Sequence, residues 1–572
     1  MFKKLIALLL ALIICVAFTA CNGGTTGGTT GGTDTPGGTY EKPEPADHEH
    51  EYTSRIGIVP ATCEKEGVKA HYECKICKKS FVFSGGKYSE VSAESLAIPK
   101  TNHKFVYEVQ DEKYLVSEAT EDTPRTYKKS CVCGLAESGK NASTFTVGKA
   151  LREYENVDKS LYMPTSLTVT LYETANCKYG FTWNTSDFPA MPVVKYCEGD
   201  SLTGATKEAY ARTEEAASFK YAEKGDERIK FYVSKVEIEL KPSTSYTYKV
   251  EDKYLNVETE TVTIKTVNPS VGKFKFSHVS DSQSGTVPNG TGEYFNGVLG
   301  AIEKNGSDFI VHTGDVVDRA RYEGFWKEML DTNFRYLSKM PVMAISGNHE
   351  TTYQSGCSNE TYKHFNYKIP QQDTEKGFYY SFSYGNVKFI MLNTNRLTVN
   401  CLTDDQYEWL EKELSEKTEK WTIVALHNPL YSVGKWGANA SINATALALQ
   451  EQLGDLFAKN KVDLVLQGHD HCISRTFPIG EGGKVLTEKI TEIDGIPYTE
   501  NPEGVLYVMN GPAGDQARKV FAVDENLYSY GEDSFKRSWA DLEIDGNKLT
   551  VTVKRYEGGV KIYKQWGIIK AA

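Results

Sequence analysis

The sequence predicts an α/β fold, a parallel sheet covered by helices on both faces, preceded by an all-β sandwich and by small Cys/His-rich modules. Three observations predict it. Five apolar runs, residues 274–279, 309–313, 342–345, 423–426 and 462–466, each stop at a polar cluster, the pattern of buried parallel strands whose carboxyl ends line a crevice. Between them the period lengthens to that of helices: Phe295, Val298, Leu299 and Ile302 share one face, and a helix opened by Thr403, with Gln406 at capping-box spacing, buries Tyr407, Leu410 and Leu414. Upstream, residues 164–266 alternate apolar and polar and are rich in β-branched side chains.

The chain has 572 residues, enough for several domains, and its net charge of −11 argues against a nucleic-acid backbone as the main partner. Residues 1–20 carry Lys3 and Lys4, then an apolar stretch and a small-residue end, the plan of an export signal peptide. Phe18-Thr19-Ala20-Cys21 resembles the bacterial lipobox. That resemblance implies acylation at Cys21 and a cell-surface lipoprotein that meets the membrane through its lipid alone, with plain secretion as the alternative. Residues 21–47 read as a Gly/Thr-rich linker.

Residues 48–150 hold two Cys/His units. In the first, Cys74-Lys75-Ile76-Cys77 has the gap that lets both sulfurs face one Zn²⁺, with His50 and His103 as the remaining candidate ligands of a structural zinc site. It looks like the small ribbon repeats of bacterial surface proteins. The second, with Cys131-Val132-Cys133, departs from that spacing, and in an exported chain either pair could instead be a disulfide. Residues 160–267 form the β-sandwich. The stretch from Leu240-Lys241-Pro242 to Tyr246-Thr247-Tyr248 resembles the fibronectin type III corner, in which a Tyr hydroxyl closes the turn, and the segment with Phe181-Thr182-Trp183 resembles the N-terminal domain of purple acid phosphatases. Without acid/base or ligand clusters, it is expected to serve as a packing partner.

The catalytic domain spans 272–530, and 531–572 add hairpin strands that close it. Its strand ends present Asp281 and Gln283, Asp315 and Asp318, Asn348 and His349, His427, and His469 and His471. Nitrogen and oxygen donors without thiolate suit Zn, Mn or Fe. The order Asp-x-Gln, Gly-Asp-x-x-Asp, Gly-Asn-His-Glu, His, Gly-His-x-His resembles the calcineurin-like metallophosphoesterases. That resemblance implies a four-layer αββα sandwich and two metal ions: Asp281 and His471 on one, Asn348, His427 and His469 on the other, Asp315 bridging. Gln283 is either a further ligand or a residue that orients water. It also implies two-metal hydrolysis, in which a bridging hydroxide attacks phosphorus and His349 protonates the leaving group.

One departure is informative. Purple acid phosphatases carry a metal-binding Tyr three residues after the bridging Asp, whereas Gly314-Asp315-Val316-Val317-Asp318-Arg319 resembles the corresponding run of Ser/Thr protein phosphatases. This implies an Asp318–His349 pair, Arg319 as a phosphate clamp and a colourless protein. His278 and His312 lie inside strands and are expected to be hydrogen-bonded core residues; Cys472 is expected to pack. Cys357 and Cys401 are placed for a disulfide, and Tyr353, Tyr431 and Trp436 follow strand ends and are candidate pocket walls. The expected function is a phosphomonoesterase acting on a phosphorylated small molecule or other phosphoester, with a phosphodiesterase or nucleotidase, or a non-catalytic binder of phosphorylated polymers, as alternatives.

Overall fold

The computed structural model describes residues 48–53, 55–84, 86–220, 227–284, 292–351, 360–371, 373, 379–395, 402–437, 444–535 and 537–571. The signal peptide, Cys21, the linker, Tyr353, Cys357 and Cys401 lie outside them. The chain divides into two compact units, Met1–His103 and Lys104–Ala572, so the two Cys/His modules fall in different units. In the first, strands Tyr72–Glu73, Ser80–Ser84 and Lys87–Val91 form a three-stranded sheet, and Gly67–Val68 pairs with Ala97–Ile98. Its described apolar side chains that are fully buried reduce to Cys74, Phe81 and Leu96.

The second unit begins with a small sheet of Leu115–Ser117, Arg125–Lys128 and Thr144–Val147. The β-sandwich follows. One sheet orders Arg212–Lys220, Glu227–Glu239, Lys178–Thr185 and Thr165–Glu173; the other orders Lys207–Tyr210, Pro192–Glu198, Ser245–Asp252 and Val257–Glu258, with Val262–Lys265 also on Ser245–Asp252. At the corner, the Lys241 N–H donates to the Tyr246 hydroxyl at 3.2 Å. The sandwich is pressed onto the catalytic domain. Tyr248 Oη donates to Ser338 O at 2.6 Å, the Ser166 N–H to Asp331 at 2.7 Å, and Thr168 and Thr170 to the carbonyls of His364 and Asn366. Val169, Leu171, Phe181 and Ile238 share one continuous apolar core with Trp326, Met329, Met343 and Phe365.

The catalytic domain opens with β1 (Lys273–Val279), α1 (Glu293–Asn305), β2 (Phe309–His312), α2 (Glu323–Thr332) and β3 (Val342–Ala344). It continues through β4 (Tyr380–Tyr384), β5 (Val387–Met391), α3 (Asp404–Glu416), β6 (Trp421–Ala425), β7 (Leu464–Gln467) and β8 (Cys472–Thr476). The remaining strands are β9 (Ile490–Ile493), β10 (Ile496–Glu500), β11 (Leu506–Asn510), β12 (Tyr528–Asp533), β13 (Ser538–Asp545), β14 (Lys548–Tyr556) and β15 (Val560–Ile569). Among the described residues these make two sheets, in the orders β3-β2-β1-β13-β14-β15-β10-β9 and β4-β5-β6-β7-β11-β8-β12.

The periodicity predicts a single parallel sheet, and here the structure differs: there are two mixed sheets, packed face to face. Phe276 of β1 and Phe309 of β2 meet Phe389 of β5 edge-on at ring separations of 5.1 and 5.5 Å. Helix α1 covers the outer face of the first sheet with Phe295, Val298, Leu299 and Ile302, and α3 covers the second. A continuous apolar run reports burial on both faces but not what does the burying. Strand β13 pairs antiparallel with β1, Leu542 opposite Phe276.

Helix α3 is capped as expected, Thr403 Oγ1 accepting the Gln406 N–H at 3.0 Å. Gln406 is turned away, bonding the N–H and C=O of Asn393 at 2.9 and 3.0 Å. Trp409, rather than Tyr407, joins Leu410 and Leu414 in the buried face, and Tyr407 is half-buried at its edge.

Candidate metal centre

Parallel strands β1, β2 and β3 of one sheet and β6 and β7 of the other end on the same side, and the polar clusters that follow them converge. The backbone at these ends is unusual: Asp281 (φ 53°), Asp315 (φ 55°), His469 (φ 75°) and His471 (φ 49°) all lie in the left-handed region. Non-glycine residues held there store strain of order 1–3 kcal/mol each and concentrate at functional sites. The approach is close enough that a Cβ on Gly347 would sit 2.1 Å from Asp315 Oδ1, so only glycine fits.

Asp315 sits in the middle. Its Oδ1 accepts the His349 N–H at 3.0 Å and lies 3.3 Å from His427 Nε2, while Oδ2 accepts from Gln283 Nε2 at 3.2 Å. On one side, Asn348 Oδ1 is 3.0 Å from His427 Nε2 and 2.7 Å from His469 Nδ1. On the other, His471 Nε2 is 3.1 Å from Asp281 Oδ1, and the Asp281 carboxylate accepts the His469 N–H at 3.0 Å. The predicted bridging position and both predicted ligand groups are thus brought together.

The donor set fits a metal pair. His427 Nδ1 faces the Thr313 carbonyl at 2.7 Å and must donate to it, which leaves Nε2 with a lone pair aimed at Asn348 Oδ1 and Asp315 Oδ1, both acceptors. His471 Nδ1 is likewise held by the Gln516 carbonyl. Acceptors turned on one another need a cation between them. Gln283 Oε1 is moreover buried without a hydrogen-bond partner, an expensive arrangement unless a ligand takes it up. In the protein alone a proton answers this demand: burial lowers the pKa of His427, but the Asp315 and Asp281 carboxylates overcome it and push it up to about 9. Burial similarly opposes ionisation of Asp315, yet the His427 and His349 imidazoles hold its carboxyl well below the usual range.

His349 is half-buried at the mouth. Its Nδ1 bonds the main-chain carbonyl of Asp318, with the Asp318 carboxylate at 3.8 Å, and its Nε2 points inward, 3.7 Å from Asp315 Oδ2. The Asp318–His349 pairing therefore runs chiefly through the backbone oxygen. Arg319 Nε lies 3.5 Å from Asp318 Oδ2; the guanidinium leans on its neighbour. His278 and His312 are core residues, bonded to Thr313 and Asn510 and to Ser282, and burial lowers their pKa values to about 3 and about 4. Cys472 is buried, its thiol pushed up to about 12 by burial. Tyr431 packs on Tyr507 in the core and is no pocket wall, whereas Trp436 is 36% exposed with its ring 5.6 Å from that of His469.

Two supporting residues were not singled out from the sequence. Glu350 is fully buried, and its carboxylate accepts the backbone N–H groups of Gly347, Asp315, Val316 and Val317 at 2.7, 2.8, 2.9 and 3.3 Å. It holds together the two turns that carry Asp315 and Asn348, and burial raises its pKa to about 7. Arg518 Nη1 donates to the His469 carbonyl at 3.0 Å.

Residues 274–472 match the family described as Calcineurin-like phosphoesterase. Purple acid phosphatase 22 of Arabidopsis thaliana is 27% identical over 214 residues, covering 36% of this chain and 46% of that protein. Probable purple acid phosphatase 20 of the same plant is 27% identical over 250 residues, 41% of this chain and 53% of the relative. The chain thus spans about half the length of these curated relatives. The structure of purple acid phosphatase PPD1 from yellow lupin (Lupinus luteus) seeds superposes with a TM-score of 0.60 at 20% identity, over 78% of this chain and 80% of that one. The chain carries a calcineurin-like phosphoesterase domain with purple acid phosphatase homology, and it shares that fold.

Proposed function

We propose that the protein is a two-metal phosphomonoesterase acting on a phosphorylated small molecule outside the cell. The observation that carries this reading is Asp315 standing between two donor groups, Asp281, Gln283 and His471 on one side and Asn348, His427 and His469 on the other. A metal pair bound there, of Zn, Mn or Fe, supplies Lewis acidity toward phosphoryl oxygens and acidifies water at neutral pH. The chain's own residues do the rest. His427 and His471 are each fixed in one tautomer by a carbonyl on Nδ1, so neither ring turns during turnover. Asn348 contributes a neutral oxygen and adds no charge beside an anionic substrate.

His349 is the proton donor to the leaving alkoxide. The Asp318 carbonyl keeps Nδ1 occupied, leaving Nε2 turned to the crevice and partly open to solvent for reprotonation. Arg319, paired with Asp318 at the rim, is proposed to contact the outer phosphate oxygens. Export with acylation at Cys21 belongs to the same proposal and rests on Lys3, Lys4, the apolar stretch and the lipobox-like tetrapeptide; no helix of the described residues is long and apolar enough to cross a membrane. The domain limits given by the sequence, with the sandwich at 160–267 and the catalytic domain at 272–530, are part of the proposal too.

A second reading, cleavage of diesters or nucleotides, is favoured by Trp436, an exposed ring placed to stack on a base beside His469. The test is hydrolysis of p-nitrophenyl phosphate beside bis-p-nitrophenyl phosphate by the full chain reconstituted with each metal. Monoester release that is lost in His349→Ala supports the first reading. Preference for the diester replaces it with the second, and no release from protein with both positions around Asp315 filled leaves only binding of phosphorylated polymers.

A further inference from the structure

The first compact unit contains a second candidate metal site, far in chemistry from the first. His48 Nε2 lies 3.5 Å from Cys74 Sγ, and His50 Nδ1 lies 3.7 Å from Cys77 Sγ. These four ligand atoms all fall within 4.8 Å of one another. A tetrahedral zinc with Zn–S of about 2.3 Å and Zn–N of about 2.0–2.1 Å has S···N edges of about 3.6 Å. These two separations bracket that value and the other donor pairs lie within 4.8 Å, so the four side chains are gathered closely enough to close on one zinc-sized ion.

The local backbone explains the arrangement. Tyr52 bridges antiparallel to Cys74, and the Lys75 N–H donates to Glu51 O at 2.8 Å, which lays the 48–52 segment along the Cys74 turn. The turn itself is a tight knuckle: the Lys78 N–H donates to Cys74 O at 2.9 Å with Lys78 at φ 62°, and the backbone N–H groups of Cys77 and Ile76 approach the Cys74 sulfur. His48 and His50 are presented from one extended segment with their rings nearly perpendicular and their centroids 4.9 Å apart, which lets both turn a nitrogen toward the Cys74 turn. The sequence expectation of His103 as a ligand is corrected here: His48 takes that corner, because the strand pairing of Tyr52, invisible in ligand spacing, carries it there.

We propose that His48, His50, Cys74 and Cys77 bind one structural Zn²⁺, independently of any reading of the catalytic domain. Two sulfur and two nitrogen donors in tetrahedral disposition select zinc among the common divalent ions. Binding forms two Zn–S and two Zn–N bonds and releases the two thiol protons to solvent. The need is plain: a unit whose fully buried apolar side chains among the described residues are Cys74, Phe81 and Leu96 has too little core to hold itself together, and small domains of this kind are stapled by metal. Cys74 and Cys77 are both thiols and are not joined to each other.

The test uses the full chain and Co²⁺ as a spectroscopic substitute for zinc. The catalytic centre offers no thiolate, so a thiolate-to-cobalt charge-transfer band reports sulfur ligation alone. The expected result is a band in the wild type, kept in His103→Ala and in Cys133→Ser, and lost when His48→Ala or Cys77→Ser is added to the Cys133→Ser chain, where the thiol of Cys133 no longer competes for cobalt, with one equivalent of zinc lost per chain on elemental analysis of His48→Ala. Should the serine variant fail to fold, the wild-type spectrum and the two histidine variants still decide. A wild type without the band, with Cys74 and Cys77 recovered as a disulfide, overturns the proposal. So does a band that survives His48→Ala but is lost in His103→Ala or Cys133→Ser.

Discussion

Replacing Glu350 by Gln tests whether the metal centre depends on a carboxylate that never touches metal or substrate. Oε2 takes the N–H groups of Gly347 and Asp315 at 2.7 and 2.8 Å, and Oε1 those of Val316 and Val317 at 2.9 and 3.3 Å. A glutamine has one acceptor oxygen, and its best placement keeps the two shorter bonds. The amide NH₂ then faces two buried N–H groups. A buried donor left unpaired costs about 1–3 kcal/mol; since the longer bond is weak, the pair amounts to about 2–4 kcal/mol. The strain falls on the turn that keeps Asp315 at φ 55°. Removing an outer hydrogen-bond partner of a metal ligand typically weakens metal binding or activity by about 10–100-fold. The assay is a metal titration of p-nitrophenyl phosphate turnover, with thermal unfolding of metal-free protein in parallel. A variant that melts at the wild-type temperature and binds metal with wild-type affinity would refute the reasoning.

Three further outcomes are expected. His349→Ala lowers kcat by about 10²–10⁴ with metal content unchanged, and the loss is smaller for p-nitrophenyl phosphate than for an alkyl phosphate, whose leaving group needs the proton more; an equal loss on both argues against proton donation. Iron-loaded protein lacks the visible phenolate band of purple acid phosphatases because Asp318 stands where they carry Tyr, and a purple preparation refutes this. Burial raises the Glu323 pKa to about 8, its carboxyl lying against Asn184 and 3.5 Å from His364 where α2 meets the sandwich. A raised acid stabilises the fold fully below its unfolded pKa of about 4.3, and the benefit fades as pH climbs through about 8, a swing of about 3–5 kcal/mol. Glu323→Gln, followed by denaturation alongside wild type across that range, therefore gains relative stability with rising pH; a constant difference refutes the assignment.

The five strand ends were legible because an apolar run ending in a ligand is a local pattern. So were the core roles of His278 and His312, which lie within strands rather than after them. Glu350 was legible as a letter but not as a function, since its partners are backbone N–H groups that no side-chain spacing reveals. Arg518 lies on a loop well beyond His471 and reaches the site only through tertiary folding. The existence of two sheets followed from resemblance alone, periodicity being blind to what covers a strand. Ligand spacing likewise placed His103 on the first Cys pair, where an antiparallel bridge at Tyr52 puts His48.

The apolar core that runs without interruption from the sandwich into the catalytic domain has a consequence for how such a chain can be inherited. A cut near residue 267 would follow the boundary of topology but not that of cohesion: Leu171, Phe181 and Ile238 would part from Trp326, Met343 and Phe365, leaving two greasy wounds in place of two domains. Gene shuffling that swaps one half for a distant cousin's faces the same barrier. The half-proteins are expected to travel through evolution as a single cassette, and variation to accumulate in the loops that ring the crevice.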